Sequence, residues 1–264
     1  MIAPVNGIAL AYDDVGSGLP IVFLHAFPLD RSMWAPQVGA LVRQGRCIAP
    51  DLRGLGATTG APPYTMDQYA DDVAALLDVL DAGPAVVVGL SMGGYVAFAL
   101  WRRHRGRVRA LVLADTRAGA DTDEGRGKRR RLIEVARARG SATIAEMQIA
   151  TMVGETTRAR RPDVVETLRA MMAAAPVDGI VGALEAMLAR PDSASTLATI
   201  DVPALIVVGD EDALTPPAEA RAMHERIRGS RLEVIAGAGH ISNLEQPSAF
   251  NHVVTEFVEG VALG

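Results

Sequence analysis

The stretch Val86–Phe98 reads VVVGLSMGGYVAF and places one small polar residue, Ser91, between two apolar runs. A continuous apolar run such as Val86–Val88 is typical of a strand buried on both faces of a sheet. The G-x-S-x-G string from Gly89 to Gly93 follows that run and opens a helical pattern, a setting typical of a turn that exposes a nucleophilic serine. The amino-terminal end of the following helix would favour negative charge on the serine oxygen. We therefore predict that Ser91 is a nucleophile, with an ordinary strand-to-helix loop as the alternative.

Short apolar runs alternate with longer helical patterns through most of the 264 residues. The strand-like runs are Gly7–Val15, Ile21–His25, Cys47–Asp51, Ala85–Gly89, Arg109–Asp115, Ala204–Asp210 and Arg231–Gly237. The helical patterns are Arg31–Arg43, Met66–Leu80, Met92–Arg105, Pro217–Ile227 and Pro247–Val258. This alternation predicts an α/β fold in which helices flank a mostly parallel central sheet.

One interval, Thr116–Ile200, departs from the alternation because it contains helical patterns and no convincing strand. It is far longer than an ordinary loop, so we predict a helical cap inserted before the last two strands. The predicted domains are therefore a core formed by residues 1–115 and 201–264 and a cap formed by residues 116–200. The methionines of the cap are interpreted as packing residues, some of which could line an adaptable apolar pocket.

Composition and charge exclude several classes of function. The formal net charge of -5 argues against a nucleic-acid surface, and the basic run Lys128–Leu132 is interpreted as a solvated helix face. Cys47 is the only cysteine, so neither an intrachain disulfide nor a cysteine metal cluster is expected. The amino-terminal residues do not resemble a secretory signal, and no apolar run approaches the length of a membrane span. We expect a cytoplasmic protein that needs neither a metal nor a cofactor and binds neither nucleic acid nor membrane.

A nucleophilic serine needs a base, and the chain has five histidines. His240 follows the strand-like run that ends in AGAGH and precedes the last helical pattern, which places it at the carboxyl edge of the sheet together with Ser91. We predict that His240 is the base. The remaining histidines are interpreted as structural or solvated residues: His25, His104, His224 and His252.

Three aspartates at the same edge could orient the imidazole of His240. Asp210 and Asp212 follow the run Ala204–Gly209, and Asp115 ends the preceding strand-like run. The chain order of serine, acid and histidine holds for all three, so the order alone leaves the choice open. Asp210 can also be interpreted as a turn or capping residue.

The order of these motifs resembles that of the α/β-hydrolase superfamily, in its serine-nucleophile branch. The likeness extends from the first strand to the segment NLEQP at Asn243–Pro247, and it is greatest to the esterases and 3-oxoadipate enol-lactonases through HAFPLDRSMW at His25–Trp34 and GLSMGG at Gly89–Gly94. The acid of that family lies in a G-x-x-D-x-x-x-P loop, which here is Gly209–Pro216. The resemblance therefore favours Asp212 as the acid and keeps Asp115 as the fallback.

The same resemblance implies an oxyanion hole made of backbone N–H groups. Its donors would be the amides of Phe27 and of Met92, the residue after the nucleophile. Ala26 stands where the family usually has glycine. The loop Asp51–Gly56 matches another family pattern and is interpreted as structural, with a buried aspartate–arginine interaction.

The resemblance and the candidate residues together predict a serine hydrolase of carboxylic esters or lactones with small to medium hydrophobic substrates. The expected partner is a small-molecule ester or lactone, and the oligomeric state is not predicted. Perhydrolases of the cofactor-free haloperoxidase type and C–C bond hydrolases are alternatives, since they use the same three residues. A non-catalytic relative that only binds a ligand is the alternative from another class.

Overall fold

A computed structural model describes residues 1–263, which form eight strands and eleven α-helices. The strands are β1 (Ile2–Val5), β2 (Ile8–Val15), β3 (Pro20–Leu24), β4 (Arg46–Pro50), β5 (Ala85–Leu90), β6 (Val108–Ala114), β7 (Ala204–Gly209) and β8 (Arg231–Ile235). The helices are α1 (Ala35–Leu41), α2 (Met66–Val79), α3 (Met92–His104), α4 (Asp123–Met152), α5 (Glu155–Arg160), α6 (Pro162–Ala174), α7 (Val177–Ala189), α8 (Ala194–Leu197), α9 (Pro217–Arg226), α10 (Ser242–Glu245) and α11 (Pro247–Leu263). Two 3₁₀ turns lie at Arg31–Trp34 and Arg105–Arg107.

All eight strands belong to one sheet in the order β1-β2-β4-β3-β5-β6-β7-β8. Strand β2 pairs antiparallel with β1 and β4, and every other pairing in the sheet is parallel. The predicted α/β class with a mostly parallel sheet is confirmed. Because β3, β5, β6, β7 and β8 are all parallel, the loops that follow them meet at one edge of the sheet.

The amino-terminal strand differs from the prediction of a single run over Gly7–Val15. The chain forms a hairpin of β1 and β2 in which Val5 pairs with Ile8. The two residues of its turn, Asn6 and Gly7, have φ angles of 44° and 77°. An Asn-Gly pair between two strands is the signal for this type of turn, so the sequence did contain the information.

Apolar side chains cover both faces of the sheet. Alternate residues of each strand face opposite sides, so Val22 and Val87 belong to one buried cluster and Phe23 and Val88 to the other. Helices α2, α3 and α9 pack on the first face, and α1 and α11 pack on the second. The continuous apolar runs in the sequence follow from this burial on both sides.

Helices α4–α8 lie between β6 and β7, inside the interval that we predict to be a cap. The two strands are nevertheless paired neighbours, with Leu111 opposite Ala204. Helix α4 is broken at Gly140, whose φ of 77° and ψ of 178° are not helical. The division of the chain into a core and a separate cap domain over residues 116–200 stays a prediction.

Within residues 1–263, no single helix has both the length and the apolar composition needed to cross a membrane. Helices α6 and α7 meet those criteria only as a pair, and they are bent by 95° relative to each other.

Candidate active site

Ser91 lies in the turn between β5 and α3, as the sequence predicts. Its φ of 55° and ψ of -113° are unusual for a residue with a side chain, and its N–H donates to the carbonyl of Ala114 at 2.9 Å. The two glycines of the motif allow this turn to pack against the sheet. A Cβ at Gly93 would collide with the carbonyl oxygen of Leu24, and a Cβ at Gly89 would collide with that of Gly93. The glycine spacing therefore follows from close backbone approach on both sides of the serine.

The structure brings Ser91, His240 and Asp212 together in one chain of hydrogen bonds. The Oγ of Ser91 lies 2.8 Å from Nε2 of His240, and Nδ1 of His240 lies 2.9 Å from Oδ2 of Asp212. The three residues follow β5, β8 and β7, so parallel strands of one sheet position them at the same edge. With Nδ1 protonated, Nε2 of His240 is free to accept the proton of the serine hydroxyl.

The carboxylate of Asp212 is held in place by its own loop. Its oxygens accept hydrogen bonds from the N–H of Leu214 at 2.8 Å, the N–H of Thr215 at 2.9 Å and the hydroxyl of Thr215 at 2.7 Å. Thr215 is a site residue that the sequence analysis missed, although its position three residues after an aspartate is a signal for a side chain that closes such a turn. These contacts leave Oδ2 aimed at His240.

Burial and the aspartate act in opposite directions on His240. Burial disfavours the charged imidazole, but the charge of Asp212 and its hydrogen bond raise the pKa of His240 above the ordinary value of 6.5. Burial likewise opposes ionisation of Asp212, while His240 and the hydrogen bonds from Thr215 lower the pKa of that carboxyl. The pair therefore favours an ionised Asp212 that stabilises positive charge on His240.

The other two candidate acids have different partners. Asp115 is fully buried with a φ of 44°, and its carboxylate accepts from the N–H of Gly209 at 2.9 Å and from the N–H and hydroxyl of Ser242 at 3.2 and 2.5 Å. Burial and the charge of Asp212 raise the pKa of Asp115 well above its ordinary value. Asp210 accepts from the N–H of Gly237 at 2.7 Å, which is the contact of a turn residue. Of the three candidates, Asp212 is the one that contacts His240.

The turn after β3 contains the predicted oxyanion donor Phe27. Within residues 1–263, neither the N–H of Phe27 nor that of Met92 donates a hydrogen bond to the protein, which is the condition for a donor that serves a ligand. Ala26 does not have a positive φ, so the turn accommodates alanine where the family usually has glycine. His25 fixes this turn, because its Nδ1 lies 2.9 Å from the carbonyl of Ala26 and its Nε2 accepts from Leu52 at 2.9 Å.

A cavity of about 400 Å³ opens above the serine and is bounded by the sheet edge and the helices between β6 and β7. Its lining residues are Phe27, Ser91, Tyr95, Arg117, Asp121, Gly125, Lys128, Arg129, Arg131, Leu132, Met147, Gln148, Thr151, Met152, Met187, Leu214, Thr215 and His240. Three of the cap methionines, Met147, Met152 and Met187, line it beside cationic and polar side chains. Within residues 1–263, no group of three or more histidine, cysteine or acidic side chains is placed to hold a metal ion.

Two interpretations of charged residues need correction. The run Lys128–Leu132 is more than a solvated helix face, since all its residues except Arg130 line the cavity. In the loop after β4, Asp51 is ion-paired with Arg31, and Arg53 is ion-paired instead with Asp72 at 2.7 Å. Both errors have one origin, because helix period and local spacing do not show which distant element packs against a charged side chain.

The comparison with known proteins agrees with this architecture. The profile of the alpha/beta hydrolase fold matches residues 20–247. The chain is 33% identical to 3-oxoadipate enol-lactonase 2 of Acinetobacter baylyi, over 94% of this chain and 92% of that protein. A thermophilic esterase from Thermogutta terrifontis, solved with malate bound, is 42% identical with a TM-score of 0.94 over 97% of this chain and 94% of the other.

An enol-lactonase from Burkholderia xenovorans has a similar structure. It is 32% identical, with a TM-score of 0.92 over 98% of this chain and 100% of the other. The profile match, these relatives and the eight-stranded sheet with its serine turn lead to one assignment. The chain belongs to the alpha/beta hydrolase fold family.

Proposed function

We propose that this protein is a serine hydrolase that cleaves carboxylic esters or lactones through an acyl-enzyme on Ser91. The observation that carries the proposal is the hydrogen-bonded chain from Ser91 through His240 to Asp212 at the floor of a cavity of about 400 Å³. The esterase and enol-lactonase relatives support the substrate class. A cavity of this size suits a small to medium substrate.

In the first half of the reaction, Oγ of Ser91 attacks the ester carbonyl while Nε2 of His240 takes the hydroxyl proton. The carbonyl oxygen becomes an oxyanion, which the amides of Phe27 and Met92 stabilise. Asp212 stabilises the imidazolium of His240 that forms in this step. When the tetrahedral intermediate collapses, the bond to the alcohol oxygen breaks, and His240 gives its proton to that oxygen.

In the second half, His240 activates a water molecule that attacks the acyl carbon bound to Ser91. The same two amides stabilise the second oxyanion. The bond between the acyl carbon and Oγ then breaks, and the serine regains its proton from His240. For a lactone, the alcohol and the acid are parts of one molecule, so ring opening leaves the new hydroxyl group on the acyl chain, and this second half releases a single hydroxy acid.

Labelling with a fluorophosphonate tests the proposal, because Oγ of an activated serine displaces fluoride from the phosphorus. We expect covalent labelling of the wild type at Ser91, measured by mass spectrometry of the intact protein and of its peptides. Labelling should be lost in Ser91→Ala and strongly reduced in His240→Ala. Folded wild-type protein that remains unlabelled would contradict the proposal, and so would labelling of Ser91→Ala to the wild-type extent.

The pH dependence of ester hydrolysis should have an acidic limb set by His240. The base must be neutral to accept the serine proton, so kcat/KM should rise with pH and level off above the pKa of His240. Because Asp212 raises that pKa, the midpoint should lie above 6.5. Initial rates at constant ionic strength, on protein shown to be folded at each pH, measure it. A midpoint below 6.5 would mean that burial of the imidazole outweighs the aspartate.

A further inference from the structure

The wall of the cavity contains three arginines around one buried carboxylate. Asp121 has an exposed side-chain fraction of 1% and accepts from Nη2 of Arg117 at 2.9 Å and from Nε of Arg129 at 2.5 Å. The third arginine, Arg190, approaches the same carboxylate to 2.9 Å. We call these four residues the arginine cluster. With three guanidinium groups and one carboxylate, the arginine cluster has an excess of positive charge.

Arg190 is the member with a complete set of structural contacts. It donates to the carbonyls of Met187 at 3.0 Å and Gly119 at 2.8 Å, and its guanidinium lies 4.2 Å from the ring centroid of Tyr95. Its side chain is 4% exposed, and it does not line the cavity. One arginine is enough to neutralise Asp121, so the three guanidinium groups together carry two positive charges in excess of that carboxylate.

Arg117 and Arg129 line the cavity and keep donors without good acceptors. Within residues 1–263, the Nε of Arg117 is buried and has no hydrogen-bond partner. The Nη1 of Arg129 points at the sulfur of Met187 at 3.1 Å, and a thioether is only a weak acceptor. Guanidinium groups that line a cavity are suited to a planar anion such as a carboxylate, which can accept two N–H groups side by side.

Two further cations extend the same wall, and the nucleophile is near. Lys128 and Arg131 also line the cavity, but both are exposed and Lys128 is ion-paired with Glu124 at 2.7 Å, so the half-buried arginines carry most of the charge of the wall. Asp121 is the only carboxylate among the lining residues. Arg117 directly follows Thr116, whose hydroxyl donates to the carbonyl of Ser91 at 2.8 Å. The positive charge and the serine thus belong to one compartment. Burial would raise the pKa of Asp121, but Arg129 and Arg190 lower it to about 2, so the carboxyl stays ionised and offsets only one of these charges.

We infer that the substrate of this site carries a carboxylate besides its ester or lactone group, and that Arg117 and Arg129 bind this carboxylate. The inference rests on the proposed ester or lactone hydrolysis at Ser91. It narrows the substrate class to monoesters of dicarboxylic acids and to lactones with a free acid group. Neutral esters of the same length would lack the partner of the two guanidinium groups.

A matched pair of substrates tests the inference by turnover. Mono-p-nitrophenyl glutarate and p-nitrophenyl pentanoate have acyl chains of equal length and differ in the terminal carboxylate. We expect the wild type to have the higher kcat/KM for the glutarate ester, and this preference should fall as salt is added. In Arg117→Gln and Arg129→Gln the ratio of the two kcat/KM values should fall roughly tenfold or more, because a charged hydrogen bond is lost.

The control variant is Arg137→Gln, on the same helix as Arg129. Arg137 is 61% exposed, pairs with Glu185 at 2.9 Å and does not line the cavity. It should keep the wild-type ratio. An equal efficiency of the wild type on both esters, insensitive to salt, would overturn the inference. That comparison needs no variant, so it remains decisive if a change in the arginine cluster prevents folding.

Binding of glutarate itself, measured by calorimetry, separates this inference from the proposed function. It needs no turnover, whereas fluorophosphonate labelling reports only on Ser91. We expect the wild type and Arg137→Gln to bind glutarate with equal affinity. In Arg129→Gln the dissociation constant should rise roughly tenfold or more. Absence of binding to the wild type, or equal affinity in Arg129→Gln, would overturn the carboxylate site even if Ser91 is labelled.

Discussion

Replacing Ser91 with alanine is expected to lower kcat for ester hydrolysis by about 10⁶-fold, the scale of loss when a nucleophilic serine is removed from a hydrolase. The substitution deletes only Oγ, whose hydrogen bond in the structure is to His240 at 2.8 Å. The Cβ remains, and alanine can occupy the same turn, so the melting temperature should stay close to that of the wild type. Steady-state rates with a p-nitrophenyl ester and a thermal unfolding curve measure the two effects.

A second serine provides the control for this experiment. Ser230 contacts Nδ1 of His224 at 2.8 Å and does not line the cavity. Ser230→Ala should therefore retain wild-type turnover. Turnover of Ser91→Ala within an order of magnitude of the wild type would show that another group attacks the ester.

Replacing Asp212 with asparagine is expected to lower kcat by about 10⁴-fold, because an amide of the same shape cannot hold the histidine in the required tautomer. Asp212 accepts from Nδ1 of His240 at 2.9 Å and also from Thr215. An amide nitrogen in place of Oδ2 would donate to Nδ1, and the proton would then move to Nε2, where it blocks transfer from Ser91. The loss of negative charge should also move the acidic limb of the pH profile to lower pH.

Asp115→Asn is the matched control, since Asp115 is a buried carboxylate at the same edge of the sheet. Its contacts are to Gly209 and Ser242 and do not include His240. We expect this variant to lose stability, because an amide nitrogen cannot accept the bonds that the carboxylate accepts, and to lose far less activity than Asp212→Asn. The opposite order of activities would assign the role of the acid to Asp115.

The fold and the three residues that meet at Ser91 could be predicted because their signals are local. A strand buried on both faces must be a continuous apolar run, and the turn at Ser91 must have small neighbours because backbone lies against both of them. Parallel strands then bring the residues that follow them to one edge. By this rule His240 and three aspartates could be placed near Ser91, and the resemblance to the family favoured Asp212 among the three.

The arginine cluster could not be predicted as a whole. Arg117, Asp121 and Arg129 are close in the chain, but Arg190 follows α7 and reaches Asp121 only because α7 packs against α4. The helical period of the sequence shows that Arg129 lies on a helix. It does not show that the face of α4 with Arg129 contacts Asp121. The partner of Asp51 was missed for the same reason, since the fold presents Arg31 to it. Charge pairs between elements are decided by tertiary packing, which local pattern does not report.

Met152 joins the cavity above Ser91 to His240, the base of the proposed mechanism. Its side chain lines the cavity, and its carbonyl accepts the backbone N–H of His240 at 3.2 Å. Two residues later, the N–H of Gly154 donates to Glu245 at 2.8 Å, on the helix that follows His240. We therefore expect a substrate that displaces the backbone of Met152 to displace His240 as well, which would link ground-state binding to proton transfer. Substitutions or substrates that alter the contact with Met152, at the end of α4, should consequently change kcat as well as KM. Selectivity at this part of the cavity would then depend on the rate of the chemical step as well as on affinity.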